Sequence, residues 1–210
     1  MTAAEARVLE KAASGLGLLI NPEALNRIGG FLDLIGVWNR TVRLVGNASR
    51  RHLLERHVAD SLAPARWLPE TAALVADIGS GAGFPGVVLA ILRPKLDFLL
   101  LESRRRKANF LRSVVRELGL ERVRVLECRA GEAAVAGIQG VQIAVSRALR
   151  LAEFLSEAAI LLSPGGVAIA MQSVQQSAKP PPNFVLSEAI EYALPAGRLH
   201  RLAKFTRTVC

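Results

Sequence analysis

The amino-acid sequence predicts a doubly wound α/β fold, in which helices cover both faces of a mainly parallel sheet and a helical extension precedes it. Two observations lead to this prediction. Short apolar runs alternate with helical patterns from about residue 73 onward, which is typical of parallel strands joined by right-handed helical crossovers. The first 70 residues show only helical periodicity. We therefore expect an N-terminal helical extension over residues 1–70, packed on a main domain over residues 71–210.

The N-terminal extension contains two stretches in which apolar residues recur at helical spacing. The first follows Pro22, a residue that suits the first turn of a helix. The second spans residues 53–68. Both patterns predict helices with one apolar face. The apolar positions are Leu25, Ile28, Leu32, Ile35 and Trp38 in the first stretch, and Leu54, Val58, Leu62 and Ala65 in the second.

The main domain contains five short apolar runs that predict buried parallel strands. These runs cover residues 73–78, 96–101, 123–126, 141–145 and 167–171. Helices are expected between them, and the clearest lie at residues 87–92, at 104–118 before Gly119, and at 151–162 before a turn at 163–166. After a polar loop over residues 173–183, the runs at 184–193 and 199–208 predict a terminal hairpin.

The composition is strongly basic, with a formal net charge of +9 and an isoelectric point of about 10.7. Such a charge favours a polyanionic partner, nucleic acid before a membrane surface, although it also serves solubility alone. Two cysteines, Cys128 and Cys210, exclude a disulfide framework and indicate a reducing, cytosolic protein. The sequence has no metal-ligand spacing and no run of about 18 apolar residues, so we expect neither a metal site nor a membrane span.

The most informative segment is the glycine-rich run DIGSGAGFPG at residues 77–86, which follows the first predicted strand and opens a helix. In an open α/β sheet, ligands bind beyond the carboxyl ends of the strands. Gly79, Gly81 and Gly83 allow the backbone to turn tightly and to approach a ligand closely. Asp77, at the strand end, can hold the loop or meet a cationic group of the ligand.

Two cofactors compete for this loop. Gly81, Gly83 and Gly86 satisfy the dinucleotide pattern G-x-G-x-x-G, and Glu102 stands where a ribose-binding acid belongs. Pro85 favours S-adenosylmethionine instead, because it removes an N–H where a pyrophosphate needs donors. The acidic residue before the loop also suits a sulfonium amino acid better than a phosphate. A purely structural glycine turn is a third interpretation, and Glu102 can equally act beside a helix N-terminus.

Several segments together carry a resemblance to a known family. The run at residues 77–91, followed by LLLESRRRKANFLRSV from Leu99, resembles the bacterial rRNA guanine-N7 methyltransferases called RsmG or glucose-inhibited division protein B. The resemblance extends outside the loop to three further motifs, and it covers nearly the whole chain from about residue 22. These motifs are Trp38-Asn39, Arg56-His57-x-x-Asp60-Ser61 and Ser146-Arg147-Ala148.

The resemblance implies a class I S-adenosylmethionine-dependent methyltransferase fold, and methyl transfer to N7 of one guanine in small-subunit (16S) rRNA, free or in the small ribosomal subunit. No metal-binding residue is expected. Two departures stand out: Gly131 replaces a frequently acidic residue, with Glu132 one position later, and Gln172-Ser173 replaces the usual Lys-Gly. The residues expected around the cofactor are Asp77, Gly79, Ser80, Gly81, Gly83, Phe84, Glu102, Ala130, Gly131 and Arg147.

Methylation at guanine N7 needs no general base, because N7 carries a lone pair and no proton. Catalysis then consists mainly of alignment, and the three histidines and two cysteines form no nucleophile–base pattern. The candidates for positioning the target are Asn39, His57, Asp60 and Arg147. Each has a plainer interpretation except Arg147, whose charge at the end of a buried strand needs a partner. Asn39 can be a helix cap, and Asp60 can pair with Arg56 on the surface.

Three basic clusters favour RNA as the substrate, although a charge run is often only a solvated face. For base stacking, Phe84 and Trp38 are the candidates. We expect a cytoplasmic monomer. The alternatives are a methyltransferase acting on another RNA or a small molecule, an RNA-binding module with a vestigial pocket, and a dinucleotide oxidoreductase. The clusters are Arg104, Arg105, Arg106 and Lys107; Arg40, Arg43, Arg50, Arg51 and Arg56; and Arg198, Arg201, Lys204 and Arg207.

Overall fold

A computed structural model describes residues 1–147, 149–174 and 179–208. Its seven-stranded sheet has five neighbouring parallel strands, followed at one edge by the last two strands of the chain, which run antiparallel to their neighbours. This confirms the predicted fold class. Ala148 of the Ser-Arg-Ala motif, residues 175–178 of the expected loop, and Cys210 lie outside the described residues.

The N-terminal part is helical, as predicted. Helix α1 (Ala3–Gly15) begins with a capping box between Thr2 and Glu5. Helix α2 (Pro22–Trp38) has proline in its first turn, and its N-cap residue Asn21 accepts a hydrogen bond of 2.8 Å from the Ala24 N–H. The apolar face read from the sequence is the buried face of α2, with Leu25, Ile28, Leu32 and Ile35 all inside.

The second predicted helix, over residues 53–68, is continuous but irregular. Helix α3 (Arg50–His52) leads into a π-helix (Leu53–Val58), which is followed by α4 (Ala59–Leu62) and a 3-10 helix (Ala63–Trp67). A π-helical turn is rare and occurs frequently at functional sites. This one carries His57 and leads directly to Asp60.

The strands of the sheet are β1 (Leu74–Ile78), β2 (Asp97–Leu101), β3 (Val123–Leu126), β4 (Val141–Ser146), β5 (Leu162–Ser173), β6 (Phe184–Ala193) and β7 (Leu199–Arg207). Their order in the sheet is β3-β2-β1-β4-β5-β7-β6. Strands β1, β2 and β4 are short and mostly buried, whereas β3 and the twelve-residue β5 are buried only in part. The helices between them are α5 (Gly86–Leu92), α6 (Arg105–Glu117), α7 (Ala130–Val135) and α8 (Leu151–Leu161). Pairing of β6 with β7 confirms the terminal hairpin.

One boundary differs from the prediction. The turn expected at residues 163–166 is part of β5, which begins at Leu162 directly after α8. Val141 pairs with Leu162, but Ile143 pairs with Val167, so β5 carries extra residues opposite β4. Pro164 and Gly165 suit such a bulge, because proline lacks a ladder N–H and Gly165 has a φ of 76°.

Two apolar layers enclose the sheet. Side chains of α1, α2 and α5 share one cluster, which includes Leu9, Ile28 and Val87. Helices α7 and α8 cover the other face. Because the N-terminal helices share a core with the sheet, the boundary at residue 70 stays a prediction. Among the described residues no helix has the length and apolar character to cross a membrane, and no group of three or more possible metal ligands is assembled.

Candidate active site

Hydrogen bonds to backbone carbonyl groups hold the glycine loop after β1 in place. The N–H groups of Gly79 and Ser80 both donate to the Leu101 carbonyl at 3.0 Å, and the Ser80 hydroxyl donates to the Asp77 carbonyl at 3.0 Å. Gly79, Gly81 and Gly83 have φ angles of 76°, 58° and 88°. These angles lie in the left-handed region that favours glycine, so the sequence of the loop follows from its shape.

Asp77 lies beneath the loop and is fully buried. Its Oδ2 accepts a hydrogen bond of 3.0 Å from the Gly86 N–H, while Oδ1 has no partner among the described residues. Burial raises the pKa of Asp77 to about 7, against the lowering effect of the Gly86 hydrogen bond. Asp77 was predicted either to hold the loop or to meet a cationic group of the ligand. The hydrogen bond with Gly86 agrees with the first of these roles.

Glu102 ties the loop to the beginning of α6. Its Oε2 accepts from the Gly81 N–H at 2.9 Å, and its Oε1 accepts from the Arg104 N–H at 2.8 Å. The side chain is buried but lines a cleft at the carboxyl ends of β1, β2 and β3. Each carboxylate oxygen has a second lone pair, so Glu102 can hold the loop and still accept hydrogen bonds from a ligand in the cleft.

The cleft contains three of the predicted cofactor residues, Gly79, Glu102 and Ala130. Ser80, Gly83 and Phe84 are buried in the loop itself, and Gly131 follows Ala130 in the first turn of α7. Sequence reasoning missed the other residues that line the cleft, which are Ile78, Leu101, Ser103, Cys128, Arg129, Leu149, Glu153 and Glu157. Glu153 and Glu157 could have been identified from the sequence, because residues four apart lie on one face of a helix.

Two glutamates accept hydrogen bonds from backbone N–H groups at the start of α7. Glu132 Oε2 accepts from the Arg129 N–H at 2.8 Å, so this residue caps its own helix. Glu157 reaches across from α8, and its Oε2 accepts from the Ala130 N–H at 3.2 Å. The side chain that meets Ala130 therefore comes from α8 and not from the neighbouring Glu132.

A second group of side chains surrounds Phe84 on the loop. The His57 ring is stacked against Phe84 with centroids 5.1 Å apart and an interplanar angle of 23°. The Arg147 guanidinium also lies over the Phe84 ring, 5.1 Å from its centroid. Phe84 is only 4% exposed, so it is not the open platform for base stacking that the sequence suggested. It instead joins His57 and Arg147, which are 90 residues apart, into one cluster.

Asp60 anchors this cluster from the side of the terminal hairpin. It accepts a hydrogen bond of 2.6 Å from the Tyr192 hydroxyl, and it lies 3.0 Å from His200 Nδ1 and 3.8 Å from Arg147 Nη1. The surface pair of Asp60 with Arg56, the plainer interpretation, is absent from the ion pairs of the described residues. Tyr192 and His200 had no sequence signal.

Burial shifts the pKa values of the groups around Asp60. The pKa of His57 falls to about 4, first because of burial and then because of the nearby positive charge of Arg147. Burial also lowers the pKa of Arg147, opposed by Asp60 and Asp77. The pKa of Tyr192 is raised by burial and by Asp60, which keeps its phenol protonated as a donor. His57 is therefore neutral near pH 7, and its buried Nδ1 has no partner among the described residues.

This shift predicts a pH dependence of stability. The unfolded chain protonates His57 near its ordinary pKa of 6.5, whereas the folded chain does so only near pH 4. The free energy of unfolding should therefore fall as the pH is lowered from 6.5 to 4. In urea denaturation at pH 7, 6 and 5, H57Q should lose less stability than the wild type. Equal slopes for the wild type and H57Q would contradict the prediction.

Asn39 and Gln172 complete the residues singled out from the sequence. The Asn39 side-chain oxygen accepts from the N–H groups of Leu44 and Val45 at 2.9 and 3.0 Å. It shapes the turn after α2, in agreement with the plainer interpretation of that residue. Trp38 packs edge-on against Phe110. Gln172 is buried at the end of β5, and its amide nitrogen has no partner among the described residues.

The basic clusters differ in how far acidic side chains neutralise them. Arg50 pairs with Glu5 and Asp33, and Arg51 pairs with Glu55. In the third cluster, Lys204 pairs with Glu188 at 2.7 Å and lies over the Trp67 ring, and Arg207 donates to the Leu162 carbonyl. Within the described part of the chain, the run at residues 104–107 makes no ion pair. This run begins two residues after Glu102, beside the cleft.

Comparison with known proteins supplies the family. A family model for rRNA small subunit methyltransferase G matches residues 24–191. A protein named ribosomal RNA small subunit methyltransferase G from Halorhodospira halophila is 36% identical over 193 residues, which are 90% of either chain. Its namesake from Chromohalobacter salexigens is 33% identical over 204 residues, or 95% of either chain.

Solved structures of methyltransferases share the fold at low sequence identity. The O-methyltransferase from Bacillus cereus, solved in complex with SAH, aligns with a TM-score of 0.59 and 17% identity over 85% of this chain and 91% of that one. TrmN from Thermus thermophilus aligns with a TM-score of 0.54 and 19% identity, over 73% of this chain and 53% of that one. The cleft and the glycine loop thus lie in a fold that methyltransferases use.

Proposed function

Because this chain belongs to the rRNA small subunit methyltransferase G family, we propose that it transfers the methyl group of S-adenosylmethionine to N7 of one guanine in small-subunit (16S) rRNA. The observation that carries the proposal is the adjacency of two sites. The cleft beside Glu102 and the cluster of His57, Phe84 and Arg147 meet at one glycine loop. A donor held in the cleft is thereby brought to a target held against the cluster.

The residues of the cleft fit the methyl donor. Gly79 and Gly81 are half-buried on the loop, and no side chain of their own keeps a ligand from the backbone. Glu102 retains lone pairs for the two hydroxyls of a ribose, since each of its oxygens accepts only one N–H. Pro85 offers no N–H to a pyrophosphate, which disfavours a dinucleotide. When bound, S-adenosylmethionine supplies an electrophilic methyl group on a sulfonium centre.

The protein positions the target and does not need to remove a proton. Guanine N7 carries a lone pair and no proton, so the residues around the target would only have to hold the ring in line with the methyl group that the bound donor would supply. Neutral His57 adds no charge beside that ring, and its buried Nδ1 has no partner among the described residues. Asp60 balances the charge of Arg147, which would otherwise oppose the developing charge on guanine. We assign target positioning to His57, Asp60 and Arg147.

We propose that the RNA outside the reacting base is contacted by basic side chains that make no ion pair within the described residues. Residues 104–107 carry four of them beside the cleft, at the start of α6. Such side chains bind phosphates and supply affinity without sequence choice. We propose that the protein acts as a monomer on rRNA in the cytoplasm.

The test is transfer of labelled methyl from S-adenosylmethionine to small ribosomal subunits, or their free rRNA, from cells that lack this modification. We expect label in one nucleoside, identified as 7-methylguanosine at a single site. Label in another nucleoside would overturn the assignment of N7. Binding of S-adenosylmethionine without transfer to either substrate would favour another RNA, and binding of NADH instead would revive the dinucleotide interpretation.

A further inference from the structure

The cleft has a direction that follows from the order of the strands. Gly79 follows β1, Glu102 follows β2, and Cys128 to Ala130 follow β3, while the sheet runs β3-β2-β1-β4. The target cluster lies on the β1 and β4 side, because Phe84 belongs to the loop after β1 and Arg147 follows β4. A donor with its methyl group toward that cluster and its ribose at Glu102 therefore places its purine at the end of β3.

Hydrogen-bond acceptors prevail at that end of the cleft. The carboxylates of Glu153 and Glu157 both line the cleft, and the contact with Ala130 places Glu157 at this end. Two backbone N–H groups there already have partners, because Glu132 accepts from Arg129 and Glu157 accepts from Ala130. The Arg129 side chain also borders the cleft but is largely exposed to solvent. Of the two α8 carboxylates, Glu157 is the one held in place, at 3.2 Å from the Ala130 nitrogen, whereas Glu153 makes no hydrogen bond within the described part of the chain.

Adenine differs from 6-oxopurines at the edge of the ring that carries the 6-substituent, where such an acceptor would make its contact. Its 6-amino group donates hydrogen bonds, whereas hypoxanthine carries an accepting oxygen at the same position. An ionised carboxylate has acceptors only. It forms a charge-assisted hydrogen bond with the amino group and repels the oxo group.

We infer that Glu157 determines the preference of this enzyme for an adenine-containing donor, by accepting a hydrogen bond from the 6-amino group with the carboxylate that also holds the Ala130 N–H. The inference rests on the proposed function, since it requires S-adenosylmethionine to occupy the cleft. Glu157 is a specificity-determining residue in this assignment and takes no part in methyl transfer. It lies on a helix after β4, so it is distinct from the residues of the glycine loop and from Glu102.

The experiment compares two ligands by calorimetry: S-adenosylhomocysteine and S-inosylhomocysteine, which differ in the 6-amino or 6-oxo group and at the adjacent N1, an acceptor in adenine and an N–H donor in hypoxanthine. The wild type should bind the adenosyl ligand at least about 10-fold more tightly. In E157Q the amide oxygen can keep the Ala130 N–H, so the amide NH₂ faces the purine. That variant should bind the adenosyl ligand about 10-fold more weakly and the inosyl ligand more tightly than the wild type does.

E153Q is the matched control, because it removes the same charge one helical turn earlier and within the same cleft. It should leave the preference between the two ligands within about 3-fold of the wild type. Equal changes for both ligands in E157Q, or an equal loss of preference in E153Q, would overturn the role of Glu157 while leaving cofactor binding intact. If the wild type bound neither ligand, the proposed cofactor would fall and this inference with it. Retained inosyl binding shows that E157Q is folded.

Discussion

Replacing Asp60 with asparagine should reduce single-turnover methyl transfer by about 100-fold or more and destabilise the fold by about 3 kcal/mol or more. The buried Asp60 carboxylate faces Arg147 at 3.8 Å and His200 at 3.0 Å, and it accepts the Tyr192 hydroxyl at 2.6 Å. An amide cannot balance the Arg147 charge, which lies in a largely buried position. Arg147 would then lose its place over Phe84, and the target cluster would lose its geometry.

The measurement pairs a rapid-quench methyl-transfer assay with urea denaturation and binding of S-adenosylhomocysteine. Y192F and H200N are the matched controls, because each removes one partner of Asp60 and keeps the carboxylate. Their destabilisation should be about 1 kcal/mol each. D60N should still bind S-adenosylhomocysteine, since the cleft lies on the other side of the loop. A D60N protein with wild-type stability and rate would show that the Asp60 charge does not hold Arg147.

Replacing Gly86 with alanine should weaken S-adenosylmethionine binding by 10-fold or more and destabilise the protein by about 1–3 kcal/mol. A Cβ atom at this position would come within 2.5 Å of both Asp77 Oδ2 and Leu100 Cδ2. The Gly86 N–H donates to that same Asp77 oxygen. The contact cannot be relieved without moving the buried carboxylate that holds the loop.

G36A provides the control for this substitution, because a Cβ atom at Gly36 meets nothing within 4 Å and the residue lies within α2. That change should leave donor affinity nearly unaltered and stabilise the helix by about 0.5–1 kcal/mol. Isothermal titration with S-adenosylmethionine and thermal unfolding of both variants check the pair. Unchanged affinity in G86A would mean that the loop adapts, and that its close packing on Asp77 is not needed for binding.

The fold could be predicted from the sequence where the signals are local. Buried parallel strands are recognisable as short apolar runs, and the glycine loop as a pattern whose left-handed φ angles require glycine. The apolar face of α2 was predicted because its apolar residues recur at helical spacing within one short segment. The beginning of β5 was not, because Ser163 to Gly166 has the composition of a turn, and only pairing with β4 turns that segment into a bulged strand.

The candidate site was predicted only in part. Asp77 and Glu102 were identified from their positions at the ends of strands, but the sequence did not say that both carboxylates hold backbone N–H groups of the loop. Phe84 was expected as a stacking platform and is buried between other groups. Glu157 was overlooked because a glutamate on an amphipathic helix is ordinarily a solvent-exposed residue.

The sequence by itself determined the class of fold, the place of the donor loop and the family motifs, since all of these depend on residues close together in the chain. The tertiary structure alone decided which side chains complete the site. Tyr192 is 132 residues from Asp60, and the two meet only because β7 inserts between β5 and β6 and turns the hairpin back toward the π-helix. Such a contact depends on strand order and register, which follow from the packing of the whole chain and leave no periodic pattern in the sequence.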